Sequence, residues 1–157
     1  MFRTAIITSA LLIPGSALAA SPAHFMTDAI QGDYSEITLG KLIAHRGSSA
    51  RVRDFGATLV RDHSNGLAQA QEVARRLRLN IRPSMAPGAR TELTKLRHLR
   101  GLAFDREVKR FMIHDHEKAI AEFKAQAHSG NRQTSHFAAA TVPVLQKHLA
   151  IARSIRA

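Results

Sequence analysis

The chain has 157 residues, with 23 Lys and Arg against 12 Asp and Glu, nine His and no Cys, giving a formal charge of +11 with the histidines neutral. Without cysteine it forms no disulfide and carries no lipid on an N-terminal cysteine, so an apolar core must hold the fold. The one aromatic beyond Phe is Tyr34, which leaves no stacking platform for single strands and, with export, makes nucleic acid an unexpected partner.

The N-terminus reads as a cleavable signal peptide over residues 1–20. Arg3 precedes an apolar run from Ala5 to Ile13, then Pro14, Gly15 and Ser16, and Ala17-Leu18-Ala19 supplies the small residues that signal peptidase accepts. The apolar run falls short of the roughly 20 residues of a spanning helix, and no later segment approaches that length. The mature domain, 21–157, is therefore expected in the periplasm or secreted, without a transmembrane segment. Losing Arg3 leaves 22 basic against 12 acidic side chains, a net +10. That charge favours an anionic envelope surface, such as phospholipid head groups or lipopolysaccharide. The scatter of Lys and Arg is equally consistent with a solvated, solubilising surface.

From Ser21 onward the apolar periodicity is helical. The first helix is expected from Pro22 to His45, with Phe25, Ala29, Glu36, Gly40 and Ile43 on one stripe and Gly47-Ser48-Ser49 ending it. A second starts at a Ser48 or Ser49 cap and places Val52, Phe55, Leu59, His63, Leu67, Ala70, Ala74 and Leu77 inward. Leu79–Gly88 reads as the long connection, and Thr91–Leu99 as a short extra helix capped by Thr91. A third long helix is expected from Leu102 to His128, with Phe104, Val108, Phe111, Met112, Ala119 and Phe123 as its stripe. After Ser129-Gly130-Asn131 a fourth covers Gln133–Ile155, with Phe137, Thr141, Val144, His148, Ala152 and Ile155 inward and Pro143 expected to kink it. The economical arrangement is all-α: an antiparallel four-helix bundle with a short extra helix between the second and third long helices.

Each long helix turns one candidate ligand toward the core. Counting about 100° per residue places His63 and His148 at the centre of their stripes, Glu36 near the centre, and His116 at one edge beside Asp115. His24, His45, His98, His114, His128 and His136 read as solvent-facing. Glu36 and His63 lie at similar distances from their common turn, as do His116 and His148, so all four can fall in one layer. Imidazole nitrogens with a carboxylate suit one divalent transition metal, with zinc, copper, iron and manganese all admissible. Asp115 is a substitute or supporting ligand. Asp62 and Asp115 are candidate acceptors for the second ring nitrogen of a ligating histidine on a neighbouring helix. The alternative is a metal-free layer in which Glu36 accepts hydrogen bonds from buried histidines.

Glu36-Ile37-Thr38-Leu39-Gly40-Lys41-Leu42-Ile43-Ala44, Val60-Arg61-Asp62-His63, Phe104-Asp105, Met112-Ile113-His114-Asp115-His116 and Val142-Pro143-Val144-Leu145-Gln146-Lys147-His148-Leu149 together resemble the exported bacterial family catalogued as domain of unknown function 4142. The resemblance spans nearly all of the mature chain and implies a ferritin-like bundle of periplasmic or outer-membrane location without an established activity. Its matching polar positions are Glu36, Asp62, His63, Asp115, His116 and His148. The stretch Met112–His116 is also similar to a related exported family linked to copper handling. Carboxylate-bridged di-iron proteins of the ferritin-like kind use Glu-x-x-His pairs. Here Val60, Ile113 and Leu145 stand three before His63, His116 and His148, which disfavours di-iron chemistry.

Three readings follow. One is a metal-binding bundle serving metal buffering or stress tolerance. Another is a metal-free module docking its basic faces on the envelope. The last is a metalloenzyme, the least expected because a closed bundle offers no evident substrate cleft and no nucleophile elbow or phosphate-cradling glycine loop is present.

Overall fold

The computed structural model describes residues 20–156, and the leader read over 1–20 lies, apart from Ala20, outside them. The described residues form five helices and no strand: α1 (Pro22–Arg46), α2 (Ala50–Arg76), α3 (Pro87–His98), α4 (Gly101–Ala127) and α5 (Arg132–Ser154). None of these helices is long and apolar enough to cross a membrane.

Local chemistry explains most boundaries. Ser21 caps α1 by accepting from the His24 N–H, with Pro22 in the first turn, and Ser49 caps α2 by accepting from the Val52 N–H. Ser48 turns instead to Asp105 on α4. The fully buried Asp105 carboxylate accepts from the Ser48 N–H at 2.9 Å, the Ser48 hydroxyl at 2.6 Å and the Ser49 N–H at 3.3 Å, tying the α1–α2 turn to α4. Asn131 Oδ1 accepts from the Gln133 and Thr134 N–H groups to start α5, which stays helical through Pro143.

The extra helix differs from its sequence reading. It begins at Pro87, four residues before Thr91, because a proline's fixed φ suits a first turn whose N–H has no helical partner. The non-helical link is correspondingly Leu77–Ala86. It is pinned along its length: Leu79 and Ile81 pack on the core, and the Ala86 N–H donates to Ser35 Oγ at 3.0 Å. Arg46 fixes the far end of α3, donating to the Arg97 and Leu99 carbonyls.

The three-residue turn at 47–49 folds α2 back along α1, the turn at 128–131 folds α5 back along α4, and the two hairpins meet mainly where α2 packs on α5. The α1–α2 seam is tightest at Gly40 and Gly56. A Cβ on Gly56 would stand 2.3 Å from the Ala44 nitrogen and 2.7 Å from the Gly40 carbonyl oxygen, both backbone atoms that cannot swing away. Gly56→Ala should therefore cost about 3 kcal/mol by forcing the helices apart, read as a lower midpoint in chemical denaturation. A change under ~0.5 kcal/mol would show the seam to be looser than described.

Candidate metal centre

The apolar interior is split in two. One cluster gathers Leu39, Ile43, Val52, Phe55, Leu59, Phe104, Val108, Met112, Ala152 and Ile155 near the 47–49 turn, and the other gathers Phe25, Met26, Ile30, Ala70, Ala74, Phe137 and Ala138 at the opposite end. Between them each long helix contributes a buried polar side chain: Glu36 from α1, His63 from α2, His116 from α4 and His148 from α5. Burying four such groups in one layer is costly unless each finds a partner.

The three imidazoles lie edge to face, with centroids 5.1 Å apart for His63 and His148, 5.4 Å for His116 and His148 and 6.0 Å for His63 and His116. One nitrogen of each ring is anchored outward. His63 Nδ1 bonds Asp33 Oδ1 at 2.8 Å, His116 Nδ1 the Met112 carbonyl at 3.0 Å, and His148 Nε2 Asp62 Oδ2 at 3.0 Å. The Met112 carbonyl and the Asp62 carboxylate only accept, and so does Asp33 when ionised, although burial raises its carboxyl; these three nitrogens then carry the protons and donate. In the neutral rings His63 Nε2, His116 Nε2 and His148 Nδ1 are then lone-pair nitrogens. They point into the layer, and one ligand atom from each of the three residues lies within 4.8 Å of the others. His116 Nε2 and His148 Nδ1 stand 3.4 Å apart with no proton left to share between them. Two metal bonds of about 2.0–2.1 Å at the tetrahedral angle place nitrogens about 3.3–3.4 Å apart. The cluster is able to hold a metal ion.

Electrostatics keep two of the three rings in ligand form. Burial, then the neighbouring His63 and His148, lowers the His116 imidazole to about 3. Burial also lowers His148 to about 4, against the opposing hydrogen bond to Asp62. His63 moves the other way: burial would depress it, but the Asp33 bond and the charges of Glu36, Asp33 and Asp115 together raise it. Hydrogen bonds from Lys147, His148 and Arg61 overcome partial burial to hold the Asp62 carboxyl far below its usual range, so Asp62 is a permanent acceptor for His148.

Glu36 is the carboxylate of the layer. Burial, then the charge of Asp115, pushes its carboxyl up to about 8. Its Oε2 and His63 Nε2 are both buried without a protein hydrogen-bond partner, the kind of orphan that in native interiors calls for a ligand or water. Glu36, Asp115 and His116 also offer ligand atoms within 4.8 Å of one another.

The layer is not sealed. A cleft of about 360 Å³ between α1 and α4 reaches Glu36, His63, Asp115 and His116, which corrects the expectation of a closed bundle. The helices that flank it are held by their hairpin partners and pack little against each other.

Of the residues singled out from sequence, Glu36, His63, His116 and His148 come together in the layer, Asp115 lies beside Glu36, and Asp62 meets His148 across the α2–α5 interface. The six other histidines are exposed. Two readings shift. His116 is central rather than at an edge, being 1% exposed. Asp115 bonds to no histidine; the acceptor for His63 is Asp33, which the sequence reading missed. Its signal was a position three before Glu36, on the same helix face. Across from it Gly66 of α2 leaves the room it occupies, since a Cβ there would meet Asp33 Oδ1 at 2.9 Å.

No curated protein and no solved structure matches the chain. A family model, described as a domain of unknown function (DUF4142), matches residues 13–155. With that match covering nearly its whole length, this chain belongs to the DUF4142 family.

Proposed function

We propose that the protein is an exported, ferritin-like four-helix bundle that binds one divalent transition-metal ion between its two hairpins, serving as a metal-buffering or stress-tolerance protein of the envelope. His63 Nε2, His116 Nε2 and His148 Nδ1 are the nitrogen ligands, Glu36 is the carboxylate ligand and Asp115 supports or replaces it. The observation that carries this reading is the convergence of three imidazoles, each with one ring nitrogen anchored outward, beside an orphaned carboxylate oxygen. A metal-free polar layer would instead pair these atoms with each other, and the tautomers set by Met112 and Asp62 leave no proton between His116 Nε2 and His148 Nδ1.

The donor set suits zinc, copper, iron or manganese in a mononuclear site. A bridged di-iron centre remains disfavoured because the layer lacks Glu-x-x-His pairs. The chain's own part is to preset tautomer and orientation: Asp33 for His63, Met112 for His116, Asp62 for His148.

Equilibrium titration of the purified protein with cobalt(II), followed by zinc competition, tests this. One ion per chain is expected, with the visible absorption of a low-coordinate cobalt site. Asp62→Asn should keep the stoichiometry but weaken affinity about 10- to 100-fold, because His148 loses its ionised acceptor. No uptake by the wild type would sink the proposal.

A further inference from the structure

The protein is strongly cationic, yet the cleft into the layer is acidic. Asp28, Asp33, Glu36, Asp115 and Glu122 line it, five of the chain's 12 acidic residues, against Lys118 alone of its 23 Lys and Arg. Asp28 and Glu122 stand at the mouth, one on each wall, each about half exposed and each paired within its own helix, Asp28 with His24 at 3.2 Å and Glu122 with Lys118 at 3.7 Å. Asp33 lies further in, bonded to His63, and at the floor are the two buried orphan atoms, Glu36 Oε2 and His63 Nε2. The carboxylates thus run from solvent to the unpartnered ligand atoms, with Lys118 the one Lys or Arg among them.

Resting on the metal-centre reading, we propose that the α1–α4 cleft is the loading port of that centre, and that it selects hydrated divalent cations while turning away metal carried as an anionic chelate. Low-dielectric walls bearing one sign of charge focus the field and raise the local concentration of the opposite ion. The rest of the surface, being basic, repels free cations, so productive approach is confined to this mouth. An anionic chelate meets the reverse field at the port, and delivers its metal only after releasing it.

Stopped-flow mixing with cobalt(II) chloride tests the port separately from the site. Asp28 and Glu122 touch none of the ligand atoms, so the double variant Asp28→Asn/Glu122→Gln should load about three- to tenfold more slowly than wild type at low salt, with an unchanged dissociation rate. Its rate should also respond less to added salt. Lys118→Gln should load faster, and Asp54→Asn, an exposed α2 acid outside the cleft, should match wild type. Supplied as its citrate complex, cobalt should enter no faster than the complex dissociates. Wild-type loading rates and salt response in the double variant would overturn the port while leaving the centre intact. Absence of equilibrium uptake by the wild type would remove the centre itself, and the port with it.

Discussion

Saturating zinc should raise the thermal midpoint of the wild-type protein by about 10 °C and that of His63→Ala by no more than about a third as much. An ion present at a thousand times its Kd stabilises the native state by about 4 kcal/mol when the unfolded chain does not bind it. For a domain of this size each kcal/mol is worth a few degrees, about 2–4 °C. His63 offers the orphan Nε2 at the floor of the cleft, and its loss removes a ligand outright rather than misaligning one. Affinity should then fall by at least ~100-fold, the upper end of what losing an outer anchor costs. The same substitution strands Asp33 without its hydrogen bond, so the metal-free variant should itself be less stable by about 1–3 kcal/mol. His63→Gln, which keeps a polar group near Asp33, guards against a variant that fails to fold. Calorimetric scans with and without zinc read both effects. Equal zinc-induced shifts in wild type and both variants would show that the ion binds elsewhere.

How far the layer was legible before any coordinates depends on which residue is asked about. Glu36, His63 and His148 sit among apolar residues at spacings of three and four, and that periodicity alone turns them inward. Phe111, Ala119 and Phe123 draw the apparent stripe of α4 to one side, which sets His116 toward its edge. In the folded chain those three are only half-buried, and the buried row is Phe104, Val108, Met112 and His116, four residues apart. For Ala119 and Phe123 the cause is the α1–α4 cleft, which they line. A sequence reports which face of a helix is apolar, not how far its neighbour stands away, so the cleft itself had no signal. Asp33 was hidden for a related reason: a short acid on a helix looks solvated until the opposing residue is known to be Gly66. Pro87 carried a true signal, helix start, but beside Pro83 and Gly88 it reads equally well as a breaker.

Stability and metal affinity should run in opposite directions between pH 6.5 and 8. In the metal-free protein the Glu36 carboxyl is raised from the usual carboxylate range to about 8, facing Asp33 on its own helix, His63 on α2 and Asp115 on α4. Its contribution to stability is full below the unfolded value near 4.5 and is lost as pH climbs toward 8. The raised His63 acts in the same sense above its ordinary 6.5. His116 and His148, lowered to about 3 and about 4, do the reverse: their contribution is full above 6.5 and is lost as pH falls toward those values. Below 6.5 these two histidines work against the raised carboxyls of Glu36, Asp33 and Asp115. The metal-free midpoint should therefore decline as pH rises from 6.5 to 8. A bound ion needs Glu36 ionised and His63 neutral, so binding expels those protons and affinity should climb with pH, about tenfold per unit below 8 for the Glu36 proton alone. His116 and His148 add little to that slope, since they are already proton-free on their ligand nitrogens at neutral pH. Glu36→Gln removes the carboxyl's titration, and should flatten the alkaline decline of the metal-free protein and reduce the pH slope of zinc affinity together. Thermal scans with and without zinc from pH 5 to 8 in both proteins measure this. Wild-type curves that stay parallel across that range would mean that Glu36 and His63 exchange no proton for the ion, and so do not hold it.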